Sequence, residues 1–213
     1  MSIGYQARIP RLYRYVAPVY RTLRPFWART TNRAAEHYLE SAMLPTAIHP
    51  AADVLDLGCG PGTNLERFRR LNLPCARYVG LDLSPLMLAK RPASMVASAN
   101  FVLGDAHRLP FADGSFDVIL STWMFSHLPV PFSVVLEARR LLRPGGWLIV
   151  ACFARPRGLL TVLLRIIEPL FLMRCAPSQE IQTWPGLVEV RSFAWGFHLV
   201  VRVRQNGWKD RLQ

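Results

Sequence analysis

The sequence predicts one α/β domain: a mostly parallel sheet with helices on both faces, closing in an antiparallel hairpin. Three observations predict it. Five short apolar runs recur through the middle of the chain, bounded by turn residues, and the four gaps between them are long enough for crossovers. The last two apolar runs lie too close together to pair any way but antiparallel. The first run ends in a glycine-rich loop that opens a helix, at the edge where open α/β sheets hold ligands.

The five runs are residues 53–57, 78–82, 100–103, 116–121 and 146–151. They stop at Gly58, at Ser84-Pro85, at Gly104-Asp105 and, for the fourth and fifth, follow the turns 112–115 and Pro144-Gly145. Residues 63–71 and 130–142 carry the clearest helical spacing between them. Strand–crossover–strand units imply a parallel sheet covered on both faces. The hairpin is 186–193 and 196–204, joined at Ala194-Trp195.

Residues 1–50 form a separate helical region. Tyr13, Tyr15, Tyr20, Phe26, Trp27 and Tyr38 interleave there with Arg11, Arg14, Arg21, Arg24, Arg29 and Arg33. Pro18 and Pro25 divide it into two short helices, with a third over 30–43. The main domain runs 51–205, with an apolar helix at 158–173. Residues 205–213 read as a frayed tail, and 206–213 as the segment outside the domain.

The chain has 213 residues, 51% of them hydrophobic, which excludes a disordered chain. Its net charge of +12 suits an anionic partner: nucleic acid, a membrane surface or an acidic substrate. Arginine richness also follows from genomic base composition. Cys59, Cys75, Cys152 and Cys175 have neither metal-ligand nor disulfide spacing, so no metal is expected and reduced thiols in the cytoplasm fit best. The N-terminus lacks a secretory pattern. The apolar stretch 159–173 is broken by Arg165, Glu168 and Pro169, too short and charged to span a bilayer.

Val54-Leu-Asp-Leu-Gly-Cys-Gly-Pro-Gly-Thr63 is the strongest signal. Thr63 stands where a dinucleotide fingerprint has its third glycine, which disfavours NAD and FAD. Asp82 ends the second run. Its carboxylate suits the two hydroxyls of a ribose; alternatively it caps the helix at Ser84-Pro85. Asp105 ends the third run, placed either for an adenine amino group or as a turn residue.

Together these segments resemble the class I methyltransferases that use S-adenosylmethionine (SAM), of the methyltransferase type 11 kind that includes ubiquinone/menaquinone and phospholipid methyltransferases. The matching pieces are the glycine loop, Val79-Gly-Leu-Asp-Leu-Ser84, Gly104-Asp-Ala106 with Leu109-Pro-Phe111, Ser115-Phe-Asp-Val-Ile119 and Leu141-Leu-Arg-Pro-Gly-Gly146. The resemblance implies a Rossmann-like seven-stranded sheet with its last strand antiparallel. It implies that Gly58, Cys59, Gly60 and Gly62 meet the methionine part of SAM, with Asp56 supporting the loop. Asp82 would take the ribose, Asp105 and Ala106 the adenine, and Leu83 and Met87 would pack on the adenosine. Ser121 would lie near the methionine or the methyl's path.

A sulfonium methyl is already activated, so alignment supplies most of the acceleration. His127 follows the fourth run and is either a general base or a packing or capping residue; His107 reads as structural. Tyr13-Arg-Tyr-Val-Ala-Pro-Val-Tyr20 resembles the family's lid motif, with arginines where acidic residues are frequent. The aromatic, basic N-terminus and the apolar helix favour a lipid-like acceptor and reversible contact with an anionic membrane. A phospholipid amine headgroup is placed first and a quinone ring second; residues 193–198 faintly resemble the quinone enzymes' glycine-plus-histidine ending. A soluble small molecule is the remaining acceptor class. Nucleic acid is disfavoured because Ser121-Thr-Trp-Met124 stands where base-amine methyltransferases carry their Pro-Pro-Tyr tetrad. A noncatalytic SAM-binding protein is the other rival.

Overall fold

A computed structural model of the chain describes residues 11, 13–15, 22, 25–26, 29–30, 32–92, 94, 99–155, 175 and 178–206. The apolar runs become β1 (Asp53–Leu57), β2 (Arg77–Asp82), β3 (Asn100–Leu103), β4 (Phe116–Thr122) and β5 (Leu142–Phe153). The hairpin becomes β6 (Leu187–Phe193) and β7 (His198–Arg204). They form one seven-stranded sheet in the order β3-β2-β1-β4-β5-β7-β6. β7 pairs antiparallel with both β5 and β6, and the other pairings are parallel. The predicted sheet is therefore the observed one.

The helices are α1 (Arg33–Tyr38), α2 (Leu44–Ala47), α3 (Thr63–Arg70), α4 (Pro85–Ala89), α5 (Pro131–Leu141) and α6 (Ser178–Gln182). A π-helical turn, Leu39–Met43, joins α1 to α2. The third predicted helix thus runs past residue 43. Pro45 lacks the N–H and crowds the preceding turn, and a wider turn lets the helix pass it without stopping. Ser84-Pro85, read as a strand stop, also opens α4: the Ser84 hydroxyl accepts from the Met87 amide at 3.3 Å.

Side chains alternate between two cores. Val54, Val118, Leu120, Ile149 and Val200 face Ala35, Leu39, Met43, Leu44, Leu65 and Phe68 of the N-terminal helix and α3. Leu55, Leu57, Ile119, Leu148 and Val150 face Val134, Val135, Ala138 and Leu141 of α5. Full burial of each such side chain contributes roughly 1.5–3 kcal/mol.

The edge opposite the ligand loop is fastened by charge. Arg143 donates to Asp53 at 2.7 Å and to Asp117 at 2.6 Å, joining β1, β4 and β5. Reaching them requires a bulge: Leu142 pairs with Phe116 but Trp147 with Val118, which is why β5 starts four residues earlier than its apolar run. Gln205, read as the start of a frayed tail, is bonded through its backbone to Gly145 and Gly146 and through its side chain to Arg139. The predicted apolar helix 158–173, residues 16–20 of the Tyr13–Tyr20 motif and residues 207–213 lie outside the described residues.

Arg67, on α3, is 2% exposed. Its guanidinium bonds Glu36, Glu40 and Asn64, and Asn64 in turn bonds Asp56 at 2.8 Å and Thr122 at 3.1 Å. Removing one partner of such a pair strands the other without water. Arg67→Ala is expected to cost roughly 3–5 kcal/mol of unfolding free energy, and Arg67→Met combined with Glu36→Gln to recover much of it. Urea unfolding checks both; an unchanged midpoint for Arg67→Ala would show that the network carries no stability.

Candidate functional site

Strand order reverses between β1 and β4, and the tips of β1, β2 and β3 meet beside that crevice. Backbone bonds set the meeting. The Gly58 and Cys59 amides donate to the Leu81 carbonyl at 2.8 and 3.1 Å, and the Gly104 amide donates to the Asp82 carbonyl at 3.0 Å. Gly58, Gly60 and Gly62 all have positive φ, at 70°, 54° and 87°, which glycine adopts without strain. A Cβ on Gly58 would overlap the Met124 side chain, and one on Gly60 would press on the Met87 methyl.

Asp82 anchors the loop to its neighbour. One carboxylate oxygen accepts the Gly60 amide and the other the Ser84 amide, each at 2.8 Å. Burial pushes this carboxyl up, while the amides of Ser84, Gly60 and Leu83 draw it back. Asp56 lies beneath the loop, fully buried, accepting from the Tyr78 hydroxyl at 2.7 Å and from Asn64. Burial pushes it up to about 7, against the bonds from Tyr78 and Asn64.

The predicted residues divide in two. Gly58, Gly60 and Gly62 lie together in the loop, with the Asp82 carboxylate bonded to the Gly60 amide and the Met87 methyl packed beside Gly60. Leu83 is half-buried beside Asp82. Cys59 belongs to the loop by its backbone, but its thiol packs against Gly80 in the interior. Asp105 accepts the His107 amide at 2.9 Å and meets the His107 ring at 3.0 Å, and Ala106 is core. Ser121 is buried, donating to the Leu57 carbonyl at 2.9 Å. His127 closes a 3₁₀ turn, Phe125–His127, and its Nε2 lies 3.4 Å from the Tyr13 hydroxyl.

Sequence reasoning assigned no role to Trp123, Met124 or Asn64, and met His198 only as the histidine of the 193–198 ending that resembles the quinone enzymes. Trp123 has a φ of 68°, which a bulky side chain seldom adopts, and its indole donates to Glu36 at 3.1 Å. The available signal was its place directly after β4. His198 starts β7, opposite Phe153 at the end of β5. It is fully buried among Trp123, Phe153 and Phe197, and neither ring nitrogen has a hydrogen-bond partner among the described residues.

The methyltransferase-domain family model matches residues 55–150. The demethylmenaquinone methyltransferase of Mycolicibacterium gilvum is 32% identical over 190 residues, covering 87% of this chain and 75% of that protein. The chain belongs to the class I SAM-dependent methyltransferases. An uncharacterized 37.1 kDa transposon protein of Streptomyces fradiae is 37% identical over 122 residues, covering 56% of this chain and 35% of that protein. The chain thus spans about a third of that relative. The phosphoethanolamine N-methyltransferase 2 of Haemonchus contortus, solved with S-adenosyl-L-methionine, shares the fold at a TM-score of 0.63 and 20% identity, over 71% of this chain and 37% of that one. SAM is the methyl donor of this enzyme.

Burial pushes the His198 imidazole down to about 4. The proton then favours the unfolded chain, so stability present above pH 6.5 is lost as pH falls towards 4. His198→Phe is expected to keep or raise stability at pH 7, because it removes buried nitrogens without partners. It should also flatten the acid limb by roughly 1.4 kcal/mol per pH unit within that window. Thermal unfolding across pH checks this; parallel curves for the two proteins would refute it.

Proposed function

We propose that this methyltransferase acts on the ring of a lipid-tailed quinol. The observation that carries the reading is the 32% identity to a demethylmenaquinone methyltransferase across three quarters of that protein. It moves the quinone ring ahead of the phospholipid amine that the composition favoured. A polyisoprenoid tail also agrees with the aromatic, basic N-terminal region, which we read as a lid over residues 51–205. The contact of Tyr13 with His127 supports that reading.

The loop suits the donor. Three glycines leave no side chain on it, and the Asp82 carboxyl is held at the adjoining tip by backbone amides, placed to accept ribose hydroxyls. Asp105 and Ala106 border the adenine, Leu83 and Met87 the adenosine, and Gly58, Cys59, Gly60 and Gly62 the methionine, with Asp56 and Ser121 bracing the loop from below. SAM supplies an electrophilic methyl when bound. His127, within reach of Tyr13, is the group that takes the quinol hydroxyl's proton, which makes the ring carbon a better nucleophile.

Labelled SAM with reduced demethylmenaquinone, phosphatidylethanolamine or an RNA pool tests the acceptor. Label should enter the quinone; label only in phosphatidylethanolamine would restore the headgroup reading. Asp82→Ala is expected to weaken SAM by about 1.5–3 kcal/mol, on the order of tenfold to a hundredfold in Kd by calorimetry. An unchanged Kd would remove Asp82 from the ribose. His127→Ala should lower kcat by roughly 10²-fold with SAM affinity kept. If kcat holds, His127 serves packing alone.

A further inference from the structure

We infer that the edge of the sheet bearing the glycine loop is a docking face for an anionic phospholipid bilayer, with Trp195 as its anchor. The inference rests on the lipid-tailed acceptor proposed above and names how the enzyme meets it. β6 lies antiparallel to β7, which lies antiparallel to β5, so β6 points the same way as the parallel strands. Its connection to β7 therefore emerges at the same edge as the glycine loop, beside the end of β5.

That connection is unusual in two respects. Ala194 and Trp195 both have left-handed backbone, with φ of 49° and 54°, where hairpin turns ordinarily carry Asn-Gly. A tryptophan there is strained, and Trp195 is 92% exposed, so packing within the fold does little to offset the strain. The turn holds an indole out into solvent. An indole, apolar in body and polar at one end, is suited to a bilayer interface.

Other aromatic residues share the edge. The Tyr13–His127 contact brings residues 13–15 to it, and Tyr15 is 77% exposed. Phe26, 62% exposed, leads through Thr30 into Arg33 at the start of α1, whose Glu36 bonds Trp123 at the tip of β4. Charge selects the partner. The first 35 residues hold seven arginines and no acidic residue, and Arg11, Arg14, Arg29 and Arg33 are exposed. A second copy seated on this face would set arginines against arginines, whereas anionic headgroups complement them. Among the described residues no helix is long and apolar enough to cross a membrane.

Co-sedimentation with vesicles of phosphatidylcholine alone, or with phosphatidylglycerol added, tests the inference on the full chain. Wild type should bind more as phosphatidylglycerol rises and less as salt rises. Trp195→Gly suits the backbone, so its melting temperature and S-adenosylhomocysteine affinity should hold while vesicle binding falls about tenfold or more. Val188→Ser, an exposed apolar position at the opposite end of β6, should bind as wild type does. Three results would overturn the inference. They are wild type recovered equally in the supernatant with neutral and anionic vesicles, equal vesicle binding by Trp195→Gly, and a dimer in sedimentation velocity that Trp195→Gly dissociates. A short-tailed, water-soluble quinol separates the two proposals: wild type and Trp195→Gly should methylate it equally. Loss of vesicle binding in Trp195→Gly, with no quinol methylated by either protein, would uphold the docking face and reject the quinol.

Discussion

A guanidinium buried under the helix that follows the glycine loop ties the half of the sheet that bears that loop together. Arg67 cannot be hydrated where it lies, so its charge has to be met by protein groups. Glu36 and Glu40 meet it, and both belong to the N-terminal helix. Asn64, bonded to the same guanidinium, passes the contact to Asp56 under the loop and to Thr122 at the end of β4. The Tyr78 hydroxyl completes the set from β2. One cation thereby fixes where α1 packs relative to β1, β2, β4 and α3.

That placement governs the edge that bears the glycine loop. With α1 fixed, Glu36 reaches the Trp123 indole and holds it in its left-handed conformation. Met124, the next residue, then covers Gly58. The crossover after β4 is so positioned by an ion pair one layer below it. At the other end of the strands, Arg143 bridges Asp53 and Asp117 where water can reach them. Such exposed pairs contribute little stability apiece, about 0–1 kcal/mol, but they align the strands whose far tips carry the site.

Two parts of this edge hold bulky residues at positive φ: Trp123 and the Ala194-Trp195 turn. Strain of this kind persists only where surrounding structure imposes it, and it gathers at working surfaces. Trp123 is imposed from within, by Glu36 and by its packing on Phe153 and His198. Trp195 is held by the hairpin's own geometry and directed outward. The same edge thus presents a buried aromatic group around His198 and an exposed indole at its rim.

Much of this was legible in the sequence because it is local. Short apolar runs located β1 and β3 to the residue, and the others apart from β5 within two. Glycine spacing identified the loop, since only a side-chain-free residue turns there without strain. Asp82 was read at the end of β2 and Asp105 just past β3, where the structure has them. The early start of β5 was hidden because Arg143 meets acids on two other strands, which no periodicity encodes. Arg67 read as one basic residue on an amphipathic helix; its partners lie up to 31 positions away, and only packing brings them together. Likewise the insertion of β7 between β5 and β6, the isolation of the His198 ring and the outward turn of Trp195 were decided by tertiary structure. Each depends on which strands become neighbours, and strand order is set by the burial of whole faces, whereas the sequence by itself determines the alternation within each strand and the turns that end it.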